Sequence, residues 1–159
     1  MNVFIFNILL AVCWAALTGT FSLLGLLAGF VLGFLLLWLL QPLLGASDPY
    51  FKRVWRWGKL LVMFHYELIV SSIEVIWDVL TPRHLARPDI ITMPLDVKSD
   101  AGIFLVTNLI SLTPGTLSLD VSEDRKTLYV HAMFADDPEE VCRKLKSGME
   151  RWVREAVEG

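Results

Sequence analysis

The chain has 159 residues, of which 55% are hydrophobic and only 19% are charged. Soluble globular domains carry about 25% charged residues and at most about half apolar ones, so this composition excludes an ordinary soluble protein. The formal net charge of −3, with no basic stripe along the chain, excludes a nucleic-acid-binding protein. The two cysteines, Cys13 and Cys142, have neither CxxC spacing nor a histidine at metal-ligand spacing, and we interpret both as small hydrophobic residues.

Residues 1–45 are predicted to form an apolar membrane hairpin. No Asp, Glu, Lys, Arg or His precedes Asp48. A cleaved signal peptide has basic residues before a short apolar core, and here the apolar run continues without them to Leu44, so we expect a retained membrane segment. The run exceeds the roughly 20 residues of one span, and Thr18-Gly19-Thr20 favours a turn within it.

The two arms of this hairpin differ in length and in the residues on their faces. Val3–Leu17 would be only about 22 Å long as a helix, short of the roughly 30 Å hydrocarbon core, whereas Phe21–Leu40 is long enough to cross it. Gly25, Gly29 and Gly33 recur at every fourth position and form a ridge that lets another helix approach closely. The ridge predicts a docking face for a partner helix, the alternative being that glycine is simply frequent in membrane helices.

Residues 46–88 are predicted to form a long amphipathic, membrane-associated helix followed by a linker. On a helix, the polar residues between positions 50 and 80 fall in one narrow sector, and apolar residues occupy the opposite side. The first half is basic and carries Trp55 and Trp57, as expected at a headgroup interface, and the second half is acidic. The polar sector contains Arg53, Arg56, Glu67, Ser71, Glu74 and Asp78, and the apolar side contains Trp55, Leu61, Val62, Ile69, Ile73, Ile76 and Val79.

This helix has two possible placements. It lies along the cytoplasmic membrane surface, or its part from Leu60 to Leu80 crosses the membrane with the carboxylates turned toward protein. Basic residues tend to stay in the cytoplasm, and they occur both at the start of the helix and beyond its end, at Arg83 and Arg87. Both basic groups can be cytoplasmic only if the helix does not cross, which favours the surface or a partly embedded placement.

Four polar residues of the acidic half, Glu67, Ser71, Glu74 and Asp78, are candidates for an ion route. Carboxylates within a membrane are costly and are often functional. The competing interpretation is that an interfacial helix presents these groups to water or to basic residues of partner proteins.

Residues 89–159 are predicted to form a small α+β domain with the order β-α-β-β-α and a three-stranded sheet. Apolar residues alternate with polar or small ones over 91–97, 117–121 and 128–134, which predicts three strands. Asp100 is the predicted cap of a helix over 101–112. Asp137, followed by Pro138, is the predicted cap of the last helix.

The segment Thr113-Pro114-Gly115-Thr116 predicts a type II turn. Proline presets φ at the second turn position, and glycine accepts a positive φ at the third. We favour an architectural role, as a tight connection from helix to strand, and keep as the alternative a knob that docks on a neighbouring subunit.

The phrase Ser111–Thr116 (SLTPGT), followed by Leu119-Asp120 and then by Leu128–His131 (LYVH), resembles the E-type component of Mrp-type (also called Mnh) multisubunit sodium/proton antiporters. The likeness covers nearly the whole chain, including the order of its segments. It implies an accessory subunit of a bacterial inner-membrane complex, with several membrane segments, a cytoplasmic C-terminal domain and no cofactor. Its partners would be the other antiporter subunits and the lipid bilayer; Na+ and H+ would be transported by the complex without necessarily binding this chain.

The favoured hypothesis is therefore a subunit that supports assembly and stability of a cation/proton antiporter. The alternative is a free-standing, membrane-tethered binding module that recruits a soluble partner. We expect no enzyme, because no Ser-His-Asp, Cys-His or paired-carboxylate arrangement is credible as a catalytic site.

Overall fold

The computed structural model describes residues 3–44, 49–82 and 86–159, and the chain divides into two compact units, Met1–Trp55 and Arg56–Gly159. The predicted boundary between residues 45 and 46, and Arg83, lie outside the described residues. The elements are α1 (Val3–Thr18), α2 (Leu23–Leu44), α3 (Pro49–Leu80), β1 (Asp89–Pro94), α4 (Asp100–Leu112), β2 (Thr116–Val121), β3 (Thr127–Ala132), α5 (Pro138–Leu145), a π-helical segment (Lys146–Glu150) and α6 (Arg151–Val157).

The first unit is built on the hairpin of α1 and α2. Gly19 has a φ of +66° and lies in the turn between the helices, where a residue without a Cβ is least strained. Within the described residues, α2 over Leu23–Gln41 and α3 over Pro49–Leu80 are long and apolar enough to cross a membrane, with mean hydropathies of 2.6 and 1.6, and α1 is apolar but shorter.

The second unit contains a three-stranded antiparallel sheet in the order β1-β3-β2, as predicted in strand number. Alternate residues of the central strand β3 are buried, because Leu128 and Val130 face the core while Tyr129 between them is 38% exposed. The core that these strands share with the helices contains Met93, Val97, Val106, Ile110, Leu128, Val130, Met149, Trp152 and Val153.

The strand β2 departs from a regular alternation. In a regular strand Leu117, Leu119 and Val121 would share one face, but a register shift lies between Ser118 and Asp120. Leu117 and Leu119 are each 48% exposed, whereas Val121 packs against the core. Ser118 faces the domain instead and donates its hydroxyl to the Thr107 carbonyl at 2.9 Å, so the extra residue of the bulge divides the apolar set between the two faces.

Two predicted boundaries are corrected. The helix cap before α4 is Ser99, whose Oγ accepts from the Gly102 amide at 3.2 Å, and the prediction of Asp100 is wrong because Asp100 lies within the first turn and pairs with Arg125. The first strand ends at Pro94, so Val97 reaches the core from the loop beyond it. The cap of α5 is Asp137, as predicted: its carboxylate accepts from the amides of Glu139 and Glu140.

Candidate functional site

The polar side of α3 packs on the α+β domain within the second unit. Leu60 is only 4% exposed and belongs to the same core cluster as the sheet. The Lys59 ammonium lies 2.9 Å from the Glu155 carboxylate, and this partner lowers the pKa of Glu155. Near the other end of the helix, the Asp78 carboxylate, 2% exposed, accepts from the Ala86 amide at 3.2 Å. The polar side of α3 therefore contacts the domain at Lys59 and Leu60 and the following linker at Asp78.

A pocket of about 100 Å³ lies between α3 and the turn that follows α4. It brings together the two sets of candidate residues in this unit, the polar stripe and the Thr-Pro-Gly-Thr turn. Of the stripe, Asp78 is not among the lining residues. The pocket is lined by Glu67, Ser71, Glu74, Thr113, Pro114, Gly115, Thr116, Ala132, Phe134, Val141, Lys144, Leu145 and Met149.

The turn at this pocket has the predicted type II geometry. The Thr116 amide donates to the Thr113 carbonyl at 3.2 Å, and Gly115 between them has a φ of +85°. The Thr116 hydroxyl donates to the Ile110 carbonyl at 2.7 Å, which satisfies a carbonyl at the end of α4. The Gly115 carbonyl accepts from the Met133 amide at 2.7 Å, so the turn is also bonded to the segment after β3.

The polar groups of the pocket differ in exposure. Ser71 is buried, Glu67 is half-buried and Glu74 is exposed, and Lys144 brings an ammonium group to the same lining. Among the described residues no group of three or more His, Cys, Asp or Glu side chains is arranged to hold a metal ion. Chemically, the pocket brings two carboxylates, a serine hydroxyl and an ammonium group together between α3 and the turn.

The glycine ridge lies in the first unit, where α1 of the same chain packs against it. A Cβ at Gly29 would come within 2.9 Å of the Ala11 carbonyl oxygen and of Trp14 Cβ, and a Cβ at Gly33 would lie 2.5 Å from Asn7 Oδ1. A Cβ at Gly25 would meet the Thr20 carbonyl oxygen in the interhelical turn at 2.5 Å. The glycines thus let the two arms of the hairpin approach closely, and their predicted contact with a helix of another protein stays a prediction.

Two buried polar residues were not identified from the sequence. Asn7, fully buried in the first unit, donates from Nδ2 to the Tyr50 hydroxyl at 2.9 Å, and a polar residue inside an apolar helix was the signal that could have revealed it. Glu150, 1% exposed, accepts from the amides of Asp96 and Val97, the latter at 3.1 Å. The amides that it accepts from are more than 50 residues away in sequence, and its pairing with Lys146 at 3.8 Å resembles an ordinary surface pair, so no local pattern indicated its burial.

The segment after α6 is hydrogen-bonded in a similar way to the residues just before α4. Glu158 accepts from the amides of Ser99 and Lys98, each at 2.8 Å, and these hydrogen bonds to the ionised carboxylate lower its pKa. Together with Glu150, this residue fixes the loop between β1 and α4 to the last helical segment.

Comparison with known proteins connects this arrangement to one family. The family model of a Na+/H+ ion antiporter subunit matches residues 7–156. The E-type component of a Na+/H+ antiporter from Alkalihalophilus pseudofirmus is 36% identical over 95% of this chain and 95% of its own length. The E1-type component of a Na+/H+ antiporter from Staphylococcus haemolyticus is 38% identical over 97% and 96%.

Two solved structures are similar in fold. A chain of the Mrp complex from Dietzia sp. DQ12-45-1b superposes with a TM-score of 0.50 at 25% identity, covering 63% of this chain and 94% of that chain. A chain of the membrane-bound sulfane sulfur reductase, an archaeal respiratory membrane complex, gives a TM-score of 0.53 at 21% identity, covering 97% of this chain and 98% of that chain. At that identity the likeness shows similarity of fold only.

Proposed function

Because the chain belongs to the family of E-type components of Na+/H+ antiporters, we propose that it is an accessory subunit of a multisubunit cation/proton antiporter, which it helps to assemble and stabilise. The observation that supports this most strongly is the match of residues 7–156 to the family, with relatives that align over nearly their full length. The chain is a component of a transporter in this account, and its partners are the other subunits. The transported ions, Na+ and H+, pass through the complex.

The packing of α3 favours an assembly role over an ion route through this chain. Ser71 is buried in the lining of the pocket beside the domain, and Asp78 is buried where its carboxylate accepts from the Ala86 amide of the following linker. A buried carboxylate that accepts such a hydrogen bond stabilises the fold, and this structural role accounts for Asp78 without an ion route. Glu74 is exposed in the pocket lining, to which Lys144 also contributes.

One face of the sheet is the surface on which a neighbouring subunit would bind. Ile90, Leu117 and Tyr129 project from it and are 58%, 48% and 38% exposed. The strand register places Ile90, His131 and Leu117 side by side across the three strands. These three exposed apolar residues around His131 suit contact with a partner that covers them.

The proposed location is the inner (plasma) membrane of a bacterium, with the chain crossing more than once and the α+β domain in the cytoplasm. The uncharged helix α2 has the length and hydropathy of a span. The basic residues at the start of α3, Lys52, Arg53, Arg56 and Lys59, would then remain on the cytoplasmic side.

Affinity purification of the tagged chain in mild detergent tests this proposal. We expect the large antiporter subunits to co-purify in fixed ratio. Replacing Leu117 with Asp, which places a charge on the exposed sheet face, is expected to reduce their recovery, while Lys98→Asp on the exposed loop leaves it unchanged. If the wild-type chain migrated on a native gel without any antiporter subunit and recovered only a soluble protein in the purification, the membrane-tethered binding module would be supported instead.

A further inference from the structure

The apolar side of α3 is bare in the second unit. Successive residues on this side from position 61 to position 77 are each more than half exposed, although the opposite side of the same helix packs on the domain. The imidazole of His65 interrupts this side, and its Nδ1 bonds back to the Leu61 carbonyl at 2.8 Å. This apolar face consists of Leu61, Val62, Ile69, Ile73, Ile76 and Trp77.

The contacts of the opposite side with the domain extend along much of the helix. They begin at Lys59, which pairs with Glu155, and reach Glu74, which lines the pocket together with the Thr-Pro-Gly-Thr turn. These positions are 15 residues apart, which corresponds to about 22 Å along a helix, most of the roughly 30 Å of a hydrocarbon core. If this stretch crossed the bilayer, the domain beside it would have to enter the hydrocarbon as well.

That arrangement is excluded by the cost of the charges involved. Lys144 and Glu155 of the domain lie beside α3, which itself carries Glu67 and Lys59, and an unsolvated ion costs several kcal/mol even when it is paired. A helix that lies parallel to the membrane plane avoids this cost, since its apolar face enters the lipid while the domain stays in water.

We infer that α3 is an in-plane interfacial helix, whose apolar face is buried in the lipid bilayer and whose polar side carries the α+β domain on the cytoplasmic surface. Two observations select lipid as the occupant. Only four residues separate the end of α2 from Pro49, which tethers the start of α3 to the membrane that α2 enters. The exposed Lys52 and Arg53 on the first turns, with Trp55, suit anionic headgroups.

This inference rests on the membrane-protein function proposed above, but its test is independent of antiport. Single cysteines at Val62, Ile69 and Ile76 are spin-labelled in a chain carrying Cys13→Ser and Cys142→Ser. The labelled complex is reconstituted into phosphatidylethanolamine–phosphatidylglycerol vesicles. Label depth is then measured from the relative accessibility to oxygen and to a water-soluble nickel chelate. Arg143→Cys on the exposed side of α5 serves as the water-facing control.

An in-plane helix gives the same shallow depth, about 5–10 Å below the headgroups, at all three positions. A crossing helix gives depths that change along the chain, since Val62 and Ile76 are about 21 Å apart along the axis, and that result would overturn the inference. Labels that are immobilised and shielded from both oxygen and nickel would also overturn it, because they would show a second protein on this face. If a labelled variant fails to insert, Leu61→Cys and Ile73→Cys provide the same comparison.

Discussion

At the scale of single residues, two members of the predicted polar stripe, Ser71 and Asp78, are buried side chains of α3. The stripe contains residues with different roles, because burial differs from one turn to the next. Asp78 and Ser71 are buried in packing, whereas Glu74 is exposed at the rim of a pocket. A helical wheel predicts which residues share a face, but not which of them a neighbouring element covers.

The roles of Asp78 and Glu74 can be separated by substitution. Replacing Asp78 with Ala leaves the Ala86 amide without this acceptor, and we expect a loss of about 1–3 kcal/mol of stability, seen as a lower thermal midpoint of the purified complex and less chain in membranes. Glu74→Gln, at an exposed position, should leave the midpoint nearly unchanged. In both variants Na+/H+ exchange per assembled complex should remain near the wild-type value. Abolished exchange in a fully assembled Glu74→Gln or Asp78→Asn complex would show instead that the stripe is an ion route.

At the scale of elements, the sequence was informative wherever the structure depends on neighbours in the chain. The turn at Pro114-Gly115 and the cap at Asp137 were predictable because their hydrogen bonds join residues two or three positions apart. The bulge in β2 and the π-helical segment Lys146–Glu150 were not, since they depend on packing against distant elements. The sequence identified the turn and the acidic half of α3 separately as candidate sites. That both line one pocket could be seen only in the folded structure.

The Gly115 turn offers a test of backbone strain. A Cβ at Gly115 meets no atom closer than 3.6 Å, so the cost of Gly115→Ala arises from its φ of +85° and should be about 1–2 kcal/mol. Gly58→Ala is the matched control, because Gly58 lies within α3 with nothing near its Cβ position and alanine should stabilise the helix by up to about 1 kcal/mol. Thermal unfolding of the full chain in detergent measures both, and equal effects of the two substitutions would contradict the type II turn.

The α1–α2 hairpin provides a separate prediction. Leucine at Gly29 would collide with the Ala11 backbone and Trp14, and we expect the overpacked hairpin to lose about 1–3 kcal/mol of stability and to incorporate less well into the complex. Leucine at the exposed neighbour Ala28 introduces the same side chain without that collision. The measurement is the recovery of each variant in purified complex. Lower recovery of Ala28→Leu than of Gly29→Leu would indicate that a partner protein packs on the Ala28 side and that the ridge tolerates bulk.

At the scale of the whole molecule, the chain combines a membrane hairpin, an amphipathic helix and a small domain, and each unit exposes apolar surface that a soluble protein would bury. In the second unit that surface is the apolar face of α3 and the outer face of the sheet. Lipid on the first and a neighbouring subunit on the second would explain why this composition is too apolar for a soluble domain and why the family is found in multisubunit complexes.

Removal of this chain alone from the complete antiporter tests its proposed role in assembly. Na+-driven proton exchange is measured in inside-out membrane vesicles from three kinds of cells: those that express the whole set of subunits, those that lack this chain alone, and the latter with this chain restored. We expect exchange and intact complex to be lost together without the chain and to return together when it is restored. Normal exchange by an intact complex that lacks the chain would show that the chain does not support assembly.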